Sequence, residues 1–264
     1  MNIFLRELKY NLKSLLIWAG IVIIFCLIGF SKFSAFYGNE DILVVLESVP
    51  PVMLDALNMR AFNLTTVTGF YGAMITYYTL ILSISAIMWG SNSISKEERE
   101  RTVEFSLTLP VTRAQLITAK TAAMLVNCVV LLLITWGITI VNAQPYNPTP
   151  EFYNFVAISM LAFLFLQLIF LALGVFLACA LKHHKQSGSM AVSLVLGTYF
   201  LSIIAGLSTN LEFLKYFSPF KYFDPGLLLR ESKLEFPFVL LSIGIFAVSL
   251  AGAYLSYAKR DLYI

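Results

Sequence analysis

The sequence predicts an all-α polytopic membrane protein that crosses the bilayer six times, and three observations predict it. Of 264 residues, 59% are hydrophobic and 12% are charged, about half the charged share of a water-soluble domain. The charges are also confined: residues 14–31, 61–95, 121–150, 152–181, 186–211 and 236–258 carry none. Each of these stretches holds at least 18 residues, close to the roughly 20 that a helix rising ~1.5 Å per residue needs to cross ~30 Å of hydrocarbon. One such stretch could be a buried core helix, but six leave no polar remainder to coat them in water. The chain therefore reads as one transmembrane domain over residues 1–264, with spans near 15–33, 70–92, 119–141, 153–181, 188–208 and 238–257.

Residues 1–14 open the chain with Phe4, Leu5, Leu8 and Leu12 near one side of a helix and Arg6, Lys9 and Lys13 around the rest. This is the pattern of an amphipathic helix lying in the interface, either a mere anchor or an elbow leading into the first span. The basic start and the apolar run Leu15 to Phe30 also imitate a signal peptide, but no small-residue cleavage motif follows cleanly and five more spans do.

Basic residues set the orientation. Segments 1–14, 92–120, 182–188 and 258–264 together carry 12 Lys and Arg, against 6 in all the others. The first group is cytoplasmic by the positive-inside rule, so both termini are inside.

Between the second and third spans, Lys96 to Glu104 packs seven charges into nine positions, with helix-spaced opposite pairs such as Glu97 and Arg101. Val103, Phe105, Leu107 and Leu109 lead to Pro110, which ends that element, and Thr112 with Gln115 forms a capping box for the next helix. A solvated charge run and a docking surface for a cytoplasmic partner are the two readings of this construction.

On the outer side, residues 40–49 and 52–59 suit two short helices within the long segment 34–69, separated by Pro50 and Pro51. Asn63 in NLT fits a glycosylation pattern, which is incidental if the chain is bacterial. Segment 209–237 interleaves Phe213, Tyr216, Phe217, Phe220, Tyr222 and Phe223 with charges and prolines. It reads as an aromatic belt in the headgroup layer, or as a segment dipping into the membrane and forming a lid on a path.

Cys26, Cys128 and Cys179 all fall within spans, which argues against a disulfide framework. His183 and His184 sit between Lys182 and Lys185 in a basic turn without a third metal ligand nearby. No ATP, dinucleotide, zinc-protease or serine-hydrolase motif occurs. Inside the spans the polar groups are Ser, Thr, Tyr, Asn127 and Gln167, and no buried carboxylate or Lys is expected there, which weighs against an ion-driven carrier or an intramembrane enzyme. The basic residues flank helices and mix with acids, so no nucleic-acid surface is implied.

At segment 91–120 the chain resembles the membrane (permease) subunit of type-2 ATP-binding-cassette transporters, the exporter-type six-span family. That family follows its second span with a charged stretch and a T-x-E-x-x-L-x-x-P-x-(S/T)-R pattern and a Lys. The matching positions are Lys96, Glu97, Glu98, Arg99, Glu100, Arg101, Thr102, Glu104, Leu107, Pro110, Thr112, Arg113 and Lys120. One departure is Arg101, where the family commonly has Gly.

The resemblance implies a non-catalytic subunit, paired with a second permease subunit as a homo- or heterodimer in a bacterial cytoplasmic membrane. Each permease would dock on a separate cytoplasmic ATPase that carries the ATP and magnesium; this chain binds no cofactor itself. Lys96 to Glu104 would be the coupling helix entering the ATPase, bordered by the N-terminal elbow. The cargo would be a drug, an antimicrobial peptide or a lipid-like compound; a sensory or regulatory ATPase complex without net transport is the alternative. Thr76, Tyr77, Tyr78, Thr79, Asn127 and Tyr199 are polar positions available to face an interior path, with a hydrogen bond to a neighbouring helix the simpler account of any one of them.

Overall fold

The computed structural model describes residues 3–39, 41, 48–50, 54, 62–99, 112–181, 184–207 and 209–259, without the side chains of 95–99, 184, 185, 209, 210 and 212. Six of its helices are long and apolar enough to cross a membrane, and the described residues contain no strand. They are α1 (Ile3–Phe36), α2 (Val67–Arg99), α3 (Arg113–Ala143), α4 (Pro150–Ala180), α5 (His184–Leu207) and, after the short α6 (Pro225–Glu231), α7 (Phe236–Lys259). The outer helices expected over 40–49 and 52–59 lie almost wholly outside the described residues.

The chain starts and stops its helices by local chemistry. Thr112 caps α3 in the expected box: its Oγ1 accepts from the Gln115 N–H at 3.2 Å, while Gln115 Oε1 accepts from the Thr112 N–H at 2.9 Å. Pro150 sits in the first turn of α4, where its missing N–H costs nothing. Gly38, with φ of +68°, takes the left-handed conformation that lets the chain leave α1.

The amphipathic start differs from the expected elbow. No Gly or Pro interrupts residues 3–19, so the interfacial run and the first span form one continuous helix. Its inward stripe is Ile3, Glu7, Leu15, Ala19, Val22 and Cys26, whereas Leu5 and Leu12 are exposed.

The spans alternate in direction, so the start of α1 and the end of α7 lie at one end of the bundle, here termed the terminal end. Helix α4 is central: 61% of its span window is buried, against 22% for α5 and for α7. It packs mainly on α2 and α7, while α1 packs on α3 and α5 on α2. The parallel pair α2 and α4 touch backbone to backbone at Gly90 and Gly174. A β-carbon on either would run into the other helix, at the Leu171 or the Ile87 carbonyl. In lipid, where apolar burial gives no net drive, such close backbone approach supplies the packing that holds helices together.

At the opposite end, Phe33 packs against Phe70 and Tyr146, ring centroids 4.7 and 4.8 Å away, and the Tyr146 hydroxyl donates to the Phe30 carbonyl at 3.3 Å. Past α5 the chain turns back on itself in two 3₁₀ segments, Thr209–Phe217 and Pro219–Lys221. The Ser218 hydroxyl donates to the Thr198 carbonyl at 2.7 Å, about 13 Å below the end of α5 by helical rise. Phe220 meets Phe170 of α4 at 5.3 Å and Tyr199 of α5 at 5.5 Å. Phe223 stacks on Phe165, and Tyr222 on Phe238 of α7. Phe213, Tyr216 and Phe217 stay exposed on the other side. The segment thus folds back as a wedge between the helices, with aromatic residues left exposed on its outer face.

Candidate functional site

The terminal end holds the most elaborate polar construction among the described residues, centred on the first two turns of α3. Lys120 is 1% exposed, and its ammonium donates to the Ser93 carbonyl of α2 at 2.7 Å. The same nitrogen lies 3.5 Å from Glu7 Oε1 on α1, and Glu7 is itself buried. The Asn11 amide donates to the Glu7 carbonyl and to Glu7 Oε2, at 2.9 and 3.3 Å, which fixes the carboxylate from one turn further along α1. Nearby, Trp89 Nε1 donates to the Ser14 hydroxyl at 2.9 Å and ties α2 to α1 a second time.

The start of α3 also grips α7. Arg113 donates to the Tyr257 carbonyl at 2.9 Å, with its guanidinium 5.8 Å from the Tyr257 ring centre, and Thr118 shares a 2.7 Å hydrogen bond with the Tyr254 hydroxyl. A cation on the last carbonyls of a helix offsets its dipole. Replacing Arg113 with alanine is expected to cost about 1 kcal/mol. Hydrogen exchange would report it as faster exchange confined to residues 254–259.

Of the motif positions, Thr112, Arg113 and Lys120 lie in the cap and the first two turns of α3. The backbone of α2 continues helically through Lys96, Glu97, Glu98 and Arg99, whose side chains lie outside the described residues. Glu100, Arg101, Thr102, Glu104, Leu107 and Pro110 lie wholly outside them.

The expected path residues differ in burial and in hydrogen bonding. Tyr78 is buried with its ring edge on Phe25, Thr79 donates back to the Thr76 carbonyl at 2.7 Å, and Tyr77 is exposed. Tyr199 packs on Phe220 of the wedge. Thr76 Oγ1 and Asn127 Nδ2 are buried without a hydrogen-bond partner, as are Ser83 Oγ and both amide atoms of Gln167.

Three of these lie further into the bundle than the polar construction. Ser83 and Gln167 each stand seven residues before the Gly90 and Gly174 crossing, and Asn127 stands seven residues after Lys120, so each lies about 10.5 Å along its helix toward the opposite end. An unpaired buried polar group costs roughly 1–3 kcal/mol, so these groups favour any arrangement that supplies partners to them.

Sequence reasoning missed Glu7 as part of a site. Its signal was helical phase, since Glu7 falls one turn from Ile3 and two from Leu15 on the stripe that continues into the first span. Among the described residues, no three His, Cys, Asp or Glu side chains gather as a metal site. No curated protein matches the chain. The model of the ABC-2 family transporter proteins matches residues 1–262.

Proposed function

The chain belongs to the ABC-2 family of transporter proteins, and we propose that it is the permease subunit of an ATP-driven exporter. It works in the cytoplasmic membrane with both termini inside, so the terminal end faces the cytoplasm. A separate ATPase subunit carries the ATP and magnesium, and a second permease copy or homologue completes the pore. The cargo is amphipathic: a drug, an antimicrobial peptide or a lipid-like compound.

One observation carries the reading most. Helix α2 continues through Arg99, and α3 begins on a capped turn whose Lys120 reaches back to Ser93. The charged stretch from Lys96 to Glu104 therefore begins on a helix end that is fastened to the start of the next helix. A partner pulling on it displaces helices instead of a slack loop. ATP binding closes the ATPase pair and shifts these ends, and the second and fifth spans move about the dimer axis. The buried amides of Asn127 and Gln167 and the wedge around Phe220 lie where such a shift would open polar contacts to cargo. A ligand or partner drives this only by binding the two arrangements unequally.

Vesicles containing the chain and its ATPase test the proposal. ATP-dependent uptake of a fluorescent cationic amphiphile into inverted vesicles is expected; hydrolysis without uptake of any amphipathic probe would favour a regulatory complex. Reversing Glu97, Glu98 and Arg101 together should weaken ATPase association about tenfold or more, read by co-purification. Unchanged association would remove the coupling assignment.

A further inference from the structure

We infer that Glu7 and Lys120 form a coupling clamp, which makes α1, the end of α2 and the start of α3 move as one body when the segment between α2 and α3 is displaced. The inference rests on the exporter reading and adds to it the residues that pass motion inward. Helix α1 packs chiefly on α3 and only lightly on α2, so apolar packing alone would leave α2 free to shift against α1. Lys120 removes that freedom by holding the Ser93 carbonyl and the Glu7 carboxylate at once.

The geometry is directional. The ammonium reaches the α2 carbonyl at 2.7 Å and the α1 carboxylate at 3.5 Å, and Asn11 holds the other carboxylate oxygen at 3.3 Å. Ile3, Ile94, Leu116 and Ile117 form a dry cluster at the same end. Charges buried in such surroundings stay close to their partners, because separation leaves each one unsolvated. Trp89 on Ser14 repeats the α1 to α2 tie two turns further along α1. The clamp also joins the two helices that flank the charged stretch and carry the unpaired Ser83 and Asn127 further along, α2 and α3.

The test separates relay from folding by replacing both partners. Glu7→Leu with Lys120→Met fills the site with apolar volume, and Glu7→Gln with Lys120→Gln keeps polarity without charge. Each is co-expressed with the cognate ATPase and placed in nanodiscs. A reporter, Tyr216→Cys on the exposed face of the wedge, is labelled with a membrane-impermeant maleimide, the native Cys26, Cys128 and Cys179 being buried.

The unmodified pair should change its labelling rate when ATP and vanadate are added. In either double variant that response should fall about tenfold, with melting temperature and ATPase association unchanged; Lys120→Arg should retain it. A folded, ATPase-bound double variant that responds like the parent overturns the clamp and leaves the exporter reading standing. If the unmodified chain neither binds the ATPase nor responds to nucleotide, the exporter reading falls and takes the clamp with it. If neither double variant folds, the pair is a folding determinant only and the clamp is overturned.

Discussion

Changing Lys120 alone to methionine, with Glu7 left in place, is expected to destabilise the bundle by about 3–5 kcal/mol. The cause is the carboxylate that remains, not the contact that is lost: Glu7 is 6% exposed, and without the ammonium it is left buried with no cation beside it. The Glu7→Leu and Lys120→Met double change should recover most of that loss, because two apolar side chains of similar size need no partner. A thiol-reactive dye in a detergent melt provides the measurement, since Cys26, Cys128 and Cys179 are all free and buried. The single variant should become reactive well below the parental temperature and the double variant close to it. Equal melting of parent and single variant would show that the pair is not dry.

Gly174→Leu is expected to cost about 2–3 kcal/mol through overpacking. It acts at the opposite extreme of chemistry, in a contact with no polar side chain. The β-carbon alone meets the Ile87 carbonyl of α2, and backbone cannot yield as a flexible side chain could, so the helices must part. Parting them also breaks the level of Ser83 and Gln167 above. Gly244, by contrast, has open space around it, so Gly244→Leu is the matched control and should melt like the parent. If the two variants melt alike, the crossing is looser than its geometry implies.

The six crossings were legible because charge is nearly forbidden in hydrocarbon, and its absence from long stretches is a direct statement about solvent. The capping box at Thr112 was legible for a similar reason: its two residues act within one turn. Glu7 was not, because one carboxylate among Arg6, Lys9 and Lys13 reads as part of a wet face until its phase is set by the buried stripe of the same helix. The wedge was half legible. Glu212, Lys215 and Lys221 mark it as interfacial, but nothing local says that Phe220 and Phe223 turn inward while Phe213 and Phe217 turn out. That division is made by α4, which offers Phe165 and Phe170 as partners. The path residues were chosen for polarity, and polarity alone does not separate Thr79, satisfied within its own helix, from Asn127, whose amide nitrogen is not.

The central position of α4 also bears on how the protein is made. It has the highest mean hydropathy of the spans, 2.7, and its partners α2 and α3 precede it on the ribosome while the wedge and α7 follow. At about 5–20 residues per second, the residues from Ala180 to Lys259 take on the order of 4–16 s to emerge. For that interval one side of α4 is matched by protein and the other by acyl chains alone. Such a helix tolerates the delay because it is largely apolar on every side, and Gln167, its one buried amide, is the group on it most in need of shelter before the second half of the chain arrives.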